Sequence, residues 1–292
     1  MAEPQMDPDS TAPGCSYDLL DEPDVCGSSL TTKELQQNWK MLKQRERPVK
    51  LLFEIPSTRI VQEHLSKYVV YEVVLMRSGS FDSRRVSVQR RYSDFSRLHQ
   101  RLQEEFQEEV EELVLPPKLL RGNFCPEKVS GRRLALQDYL AQLFAARCVR
   151  HSPLFAGFLS DAEQRRAHEL LRAGQFEGAV EQLQTVLEIQ EKLLPWQKPT
   201  LLVPTLAALA VCYRDLEKPE QALGTAQRAL PPVRRYGLKS YRAPLLELLV
   251  DLGYQLGRPV AQLQEELRTQ RDAERGEVSR RSLKEVVIHE FL

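Results

Sequence analysis

The sequence predicts an α+β unit, built on a three-stranded antiparallel sheet with helices, followed by an all-α unit of helical repeats. Three observations carry this expectation. From residue 49 the chain turns to segments rich in β-branched residues. After residue 92 apolar residues recur at helical spacing instead. Beyond residue 165 three stretches share one pattern of helix, break and helix. With 292 residues the chain is about twice a typical single domain, which agrees with two folded units behind a tail.

The tail, residues 1–47, comes first. Its first 32 residues hold four prolines and seven acidic residues but no Lys or Arg, and show neither helical nor strand periodicity, so they are expected to be disordered. Within them Tyr17-Asp18-Leu19-Leu20 has the shape of a tyrosine-plus-bulky-residue sorting peptide, and Leu19-Leu20-Asp21-Glu22 that of a clathrin-type box. Four-residue matches of this kind arise often by chance. Thr31 or Thr32 can cap a short helix, KELQQNWKMLKQR, which Pro48 ends.

The second unit, 48–165, opens with VKLLFEI, KYVVYEVVLM and RRVSVQRR as strands, the last two joined by SGSFDS as a hairpin turn. Ser93 is the expected N-cap of a helix carrying Phe95, Leu98, Leu102 and Phe106 on one face, with the acidic run EEFQEEVEE solvated opposite. An extended stretch, LVLPPKLL, leads through a loop to Ser130, where the helix GRRLALQDYLAQLFAARC is expected to begin. A short helix, SPLFAGFLS, is expected to close the unit near residue 160.

In the third unit, 166–292, LLRAGQFEGAVEQLQTVL, CYRDLEKPEQALGTAQRAL and GYQLGRPVAQLQEEL align. Each breaks (at Gly174, at Glu217-Lys218, at Gly257), continues with Phe176, Pro219 or Pro259, and then places a small residue, Ala179, Ala222 or Ala261. The spacing exceeds the roughly 34 residues of tetratricopeptide repeats but follows the same logic of small residues where two helices cross. Phe176, Ala179, Ala222 and Ala261 are therefore expected in the core. Trp196, after Pro195 in a long connection, is either an exposed contact or buried. The terminal VVIHEFL either packs as a last helix or stays free as a peptide ligand.

Composition excludes several functions. Lys+Arg and Asp+Glu number 41 each, so the basic excess of a general nucleic-acid binder is missing. The five cysteines (Cys15, Cys26, Cys125, Cys148, Cys212) form no CxxC pair, which reads as a reducing compartment without structural zinc. The five histidines lie in unrelated segments, none with a second ligand at i+3 or i+4, and no GxSxG, Walker loop or GxGxxG is present. No catalytic residue, metal or cofactor is expected. The start of the sequence lacks a positive and apolar leader, and the longest apolar run, Leu201 to Tyr213, is too short for a bilayer.

Basic residues are more informative. Arg132 and Arg133 are expected in the first turn of their helix, where acidic side chains would be preferred. Either the cost is small and screened, or the helix N-terminus and two guanidinium groups make a phosphate site. Arg90-Arg91-Tyr92 stands where the third strand hands over to a helix. Arginine offers a planar fork to phosphate, and tyrosine stacks against a ring edged with hydroxyls. Lys118, after the prolines, adds a point charge.

Arg90-Arg91-Tyr92-Ser93-Asp94-Phe95, then Leu115-Pro116-Pro117-Lys118, then Arg132 four residues before Leu136 in LQDYL, resembles the phox-homology (PX) domain of sorting nexins over about residues 48–165. The helical repeats resemble the tetratricopeptide-like PX-associated B domain of the sorting nexin twenty and twenty-one subfamily. The resemblance implies a site for phosphatidylinositol 3-phosphate. Arg91 would hold the 3-phosphate, Tyr92 pack under the inositol ring, Ser93 contact the same phosphate, Lys118 reach the 1-phosphate, and Arg132 grip the 4- and 5-hydroxyls. Arg90 would be a supporting charge. Leu119, Leu120 and Phe124, in the loop beside Lys118, would suit shallow membrane insertion, though a core-facing role for the two leucines competes. LPPK lacks the longer PxxP loop of many members, which puts an SH3 partner in doubt. No coiled-coil heptads follow, so no membrane-bending dimer is expected.

The expectation is a non-enzymatic, cytoplasmic adaptor, peripheral on the cytosolic face of early endosomes and acting in vesicle trafficking and protein transport, with a cargo or adaptor protein on its repeats. Charge agrees, since residues 48–160 hold 17 basic against 13 acidic residues while the charged residues of 1–32 are all acidic. Two alternatives stand. One is a soluble scaffold working through its repeats. The other is a PX domain preferring a bisphosphorylated inositide, with Arg84, Arg85 and Arg133 supplying another phosphate site.

Overall fold

The computed structural model describes residues 36, 50–63, 66–78, 85–118, 123–273 and 281–290. The acidic tail with its sorting-type motifs, nearly all of the KELQQNWKMLKQR segment, and the SGSFDS turn beyond Ser78 lie outside the described residues. What is described from residue 50 onward belongs to one compact unit with two hydrophobic cores.

The sheet is organised by one long strand. β1 is Lys50–Glu54, β2 Thr58–Glu63, β3 Ser66–Ser78 and β4 Val86–Arg91. β1 pairs antiparallel with the C-terminal half of β3 (Glu54 opposite Val74), and β2 with its N-terminal half (Thr58 opposite Tyr71). β4 pairs antiparallel with the middle of β3, from Val70 opposite Arg91 to Leu75 opposite Val86. The sheet thus has three rows but four strands, because the first row is interrupted at Ile55-Pro56-Ser57, where proline cannot donate to a ladder. The sequence pattern passed over β2 because none of its residues is buried, so no alternation marks it. Alternation is strict along β4, where Val86, Val88 and Arg90 face inward and Ser87, Gln89 and Arg91 outward.

Helix α1, Tyr92–Glu105, follows β4 without a loop and buries Phe95, Leu98 and Leu102, with Phe106 half-buried at its end. Ser93 is not its cap. The strand keeps its register up to Arg91, so Arg91 takes the cap position and the Asp94 carboxylate accepts its backbone N–H at 2.8 Å. The glutamates flanking the single turn α2, Gln107–Val110, are exposed as expected, while Val110 is buried. Helix α3 runs Pro126–Ala145 and α4 Arg147–His151. The expected start of α3 at Ser130 is corrected by one turn, because Pro126 is preorganised for the first helical position and Glu127 follows it. Helix α5 runs Pro153–Arg172, capped by the Ser152 hydroxyl, which accepts from the Leu154 N–H. The helix expected to stop near 160 therefore continues, since DAEQRRAHELLR contains no breaker. It also runs through residue 165, the expected boundary between the second and third units.

Helix α6 is Phe176–Leu193; a 3₁₀ turn, Pro199–Leu202, leads into α7, Val203–Asp215. There follow α8, Pro219–Arg235, α9, Lys239–Gln255, α10, Ala261–Ala273, and α11, Leu283–His289. α5/α6, α7/α8 and α9/α10 are three helical hairpins. Each turns through one left-handed residue at the expected break: Gly174 (φ 74°), Glu217 (φ 56°) and Gly257 (φ 62°). Ala179 and Ala222 are fully buried and Phe176 is half-buried against the same core. Ala261 is exposed, contrary to expectation. In the third hairpin the close approach falls one residue earlier, between buried Val260 and Gly253, where an added Cβ would lie 2.2 Å from Val260 Cγ1. Gly253→Ala should therefore destabilise the chain by about 1–3 kcal/mol through overpacking, although alanine is the better helix former by ~1 kcal/mol; a raised urea midpoint would contradict this.

α5, α6 and α7 are keyed together by a closed ring of buried side chains. Gln164 donates to Thr205 Oγ1 (3.3 Å), Thr205 to Gln190 Oε1 (2.9 Å), and Gln190 back to Gln164 Oε1 (3.4 Å). α11 packs Leu283, Val286 and Val287 into the repeat core, so VVIHEFL is a docked helix as far as it is described. Its Lys284 ammonium lies 2.6 Å from Asp215, which also accepts from Arg214 at 2.7 Å. Burial alone would raise the Asp215 carboxyl, but these hydrogen bonds outweigh it and hold it below its usual 3.8. A depressed carboxylate contributes stability that is present above its unfolded value and lost as pH falls through the folded one. Denaturant midpoints should accordingly drop below pH ~4, and Asp215→Asn should flatten that part of the profile.

The first core lies between the sheet and α1, α3 and α5, with Phe53 edge-on to Phe144 (5.7 Å) and Phe155 (5.9 Å). It also contains Ile189 and Leu193 of α6, and half-buried Trp196 stands edge-on to Phe144 at 4.7 Å. Trp196 is thus packed, with its carbonyl 2.7 Å from His151 Nδ1.

Candidate functional site

The site forms where β4 gives way to α1. Arg91 leaves the outward face of the strand, and its guanidinium lies 3.4 Å from the centroid of the Tyr68 ring on β3. Glu63 is 3.9 Å away, and the Arg91 side chain remains 48% exposed, so its fork is open to an anion. Tyr92 begins the helix and donates its hydroxyl to the Pro116 carbonyl at 2.7 Å, tying the proline stretch down beside the strand end. That tie brings Lys118, two residues on, to the same place. Arg132 of α3 comes from below: it is only 8% exposed, its guanidinium carbon is 5.2 Å from the Tyr92 ring centroid, and its Nη2 donates to Asn123 Oδ1 at 3.1 Å. Burial raises the Tyr71 and Tyr92 hydroxyls and Arg132 partly opposes it, so both stay protonated.

These side chains enclose a cavity of about 500 Å³ lined by Arg91, Tyr92, Ser93, Lys118 and Arg132, together with Lys67, Tyr68, Val69, Ser96, Arg97, Gln100, Asn123 and Phe124. Five cations line it and, among the described residues, no carboxylate does. Such a lining attracts an anion, while the aromatic, amide and hydroxyl groups suit a ring bearing hydroxyls.

All five expected headgroup residues are brought together, although three separate stretches supply them. Other expectations are corrected. Arg132 and Arg133 are not in the first turn of α3, which begins six residues before Arg132, so the helix dipole adds little there. Arg133 points away and donates to the Ile55 carbonyl at 2.5 Å. Arg85 pairs with Glu54 at 2.8 Å, and Arg84 lies outside the described residues. Neither Arg85 nor Arg133 lines the cavity. Arg90 is not beside the pocket either, because alternation along β4 sends it into the interior. Phe124 is half-buried at the rim, with the Lys67 ammonium 4.7 Å from its ring centroid; Leu119 and Leu120 lie outside the described residues. Lys67 and Tyr68 were not singled out from the sequence. The signal was present, because carrying the antiparallel register of the last two strands back from their turn sets the start of KYVVYEVVLM beside Arg91.

Residues 78–162 match the family model of the PX domain, a stretch that contains all five of those residues. Sorting nexin-20 of Rattus norvegicus is 43% identical over 291 residues, which cover 98% of this chain and 90% of that protein. This chain belongs to the sorting nexins. Sorting nexin-21 of Homo sapiens is 34% identical over 266 residues, 91% of this chain and 71% of that protein. A designed CISK-PX domain solved by X-ray is 28% identical with a TM-score of 0.32, covering 38% of this chain and 97% of that domain. The likeness of this sorting nexin to its two relatives therefore extends through the helical repeats. Among the described residues, no helix of this sorting nexin is long and apolar enough to cross a membrane.

Proposed function

We propose that this sorting nexin is a non-enzymatic, peripheral membrane adaptor. Its cavity takes the headgroup of phosphatidylinositol 3-phosphate on the cytosolic face of early endosomes, and its helical repeats hold a protein cargo or adaptor during vesicle trafficking. One observation supports this above the others: Arg91, Tyr92, Ser93, Lys118 and Arg132 line one cavity that five cations and no described carboxylate surround. In this reading the exposed Arg91 fork takes the 3-phosphate, the Tyr92 ring supports the inositol, Ser93 adds a contact to the phosphate, Lys118 meets the 1-phosphate, and buried Arg132 holds the 4- and 5-hydroxyls. A single headgroup is a weak anchor, so stable recruitment needs a second contact from the loop or the partner.

A second reading has an observation of its own. Lys67 and Arg97 line the cavity besides the three expected cations, which favours a bisphosphorylated inositide. Co-sedimentation of the full chain with liposomes carrying phosphatidylinositol 3-phosphate or a bisphosphate, at matched charge and in physiological salt, separates the two. Preference for the 3-phosphate supports the first; a bisphosphate that outcompetes it supports the second; absence of binding to either, by folded protein, defeats both and returns the search to the repeats.

A further inference from the structure

Arg90 is 3% exposed, yet nothing about lipid capture uses it. Its Nη1 and Nη2 form a bidentate pair with Glu163 of α5 at 2.6 and 2.7 Å. Its Nε donates to the Phe158 carbonyl at 2.6 Å and its Nη1 to the Gln89 carbonyl at 2.8 Å. The guanidinium carbon stands 5.5 Å from the centroid of the Phe158 ring, which is in turn edge-on to buried Phe95 at 5.0 Å. α5 therefore grips both sides of the junction that presents Arg91 and Tyr92: the end of β4 through Arg90, and the first turn of α1 through Phe95. The next residue of α5, Gln164, belongs to the buried ring that joins α5 to α6 and α7.

We infer that Glu163 is a positioning residue of the headgroup site, which sets the angle of the Arg91-Tyr92 junction through Arg90 and so makes the first repeat helix a working part of lipid recognition. The inference rests on the lipid reading of the cavity. Its physical basis is that a largely shielded carboxylate on the Nη1/Nη2 edge, together with the Phe158 and Gln89 carbonyls on Nε and Nη1, leaves the buried Arg90 guanidinium a single orientation, and Arg90 is covalently adjacent to the residue proposed to hold the phosphate. If the pair served stability alone, losing it would weaken binding only as far as it unfolds the protein.

The test uses the full chain and vesicles of phosphatidylcholine with and without phosphatidylinositol 3-phosphate. Three variants are compared: Glu163→Gln, Glu163→Asp, and Leu249→Ala, which removes a fully buried side chain from the repeat core far from α5's contacts with β4. Circular dichroism and thermal midpoints establish that each is folded at the assay temperature. Glu163→Gln is expected to lower lipid affinity about tenfold, the size of a typical coupling between sites. Glu163→Asp should recover part of it, and Leu249→Ala should leave it unchanged despite an equal or larger fall in midpoint. Hydrogen exchange without lipid provides a second readout: amides 90–95 should exchange faster in Glu163→Gln than in Leu249→Ala. Equal affinity of Glu163→Gln and wild type, or equal losses in Glu163→Gln and Leu249→Ala, overturns the inference. Faster exchange at 90–95 in a protein whose wild type binds no vesicle upholds the positioning of the junction and overturns the lipid reading instead.

Discussion

Replacing Arg91 with alanine is expected to weaken binding to phosphatidylinositol 3-phosphate liposomes by about a hundredfold or more, equivalent to ~3 kcal/mol, while leaving stability within ~0.5 kcal/mol of wild type. The asymmetry follows from where the side chain stands. It is half exposed, stacked on Tyr68 and loosely paired with Glu63, so little of the fold rests on it. A phosphate seated in the cavity would lose the exposed fork proposed to hold it, leaving Lys67, Arg97, Lys118 and buried Arg132 as the remaining charges. Arg91→Lys should fall between, because charge survives and the planar fork does not. Arg132→Ala should also weaken binding but at a measurable cost in stability, since Arg132 is buried against Tyr92 and bonded to Asn123. Undiminished sedimentation of Arg91→Ala with 3-phosphate vesicles would remove the proposed role from this residue.

The second large effect concerns excision. A fragment of residues 48–165 matches the unit expected from the sequence, yet it is expected to be less stable than the full chain by on the order of 5 kcal/mol or more. It severs α5 within its 20 residues and strips Ile189, Leu193 and Trp196 from the core that holds Phe53, Phe144 and Phe155. It also loses Gln197, whose amide donates to the carbonyls of Arg150 (3.0 Å) and Ser152 (3.2 Å). Extending the fragment to residue 202 restores those contacts and should recover much of the difference. Urea unfolding of the two fragments measures it, and equal midpoints would show that the contacts made by residues 166–202 add nothing to the stability of the sheet core.

What the sequence revealed and what it hid divide along physical lines. That Arg91, Tyr92, Ser93, Lys118 and Arg132 meet in one cavity was legible through the resemblance of their motifs to the PX domain, whereas the local argument for Arg132, a place in the first turn of its helix, failed because the helix begins at Pro126. The three turns at Gly174, Glu217 and Gly257 were legible because a left-handed residue between two apolar helices leaves a compositional trace. The start of α3 could have been read from Pro126 and Glu127, and the opposed directions of Arg90 and Arg91 from simple alternation. The partner of Arg90 could not, because Glu163 lies 73 residues away and nothing in the local pattern of α5 distinguishes it from a solvated glutamate. Ala261 misled because the third hairpin shifts its small residue to Gly253, on the opposite helix.

The uninterrupted α5 has a mechanical consequence. Its 20 residues make a rod of about 30 Å whose first half belongs to the core around the sheet and whose second half belongs to the repeats, with no linker between. A protein docked on the repeats would ride on a lever and not on a tether. Its height above the bilayer and its compass direction would be set by helix geometry, and the distance at which two such complexes can meet would be a fixed length and not a distribution broadened by chain entropy.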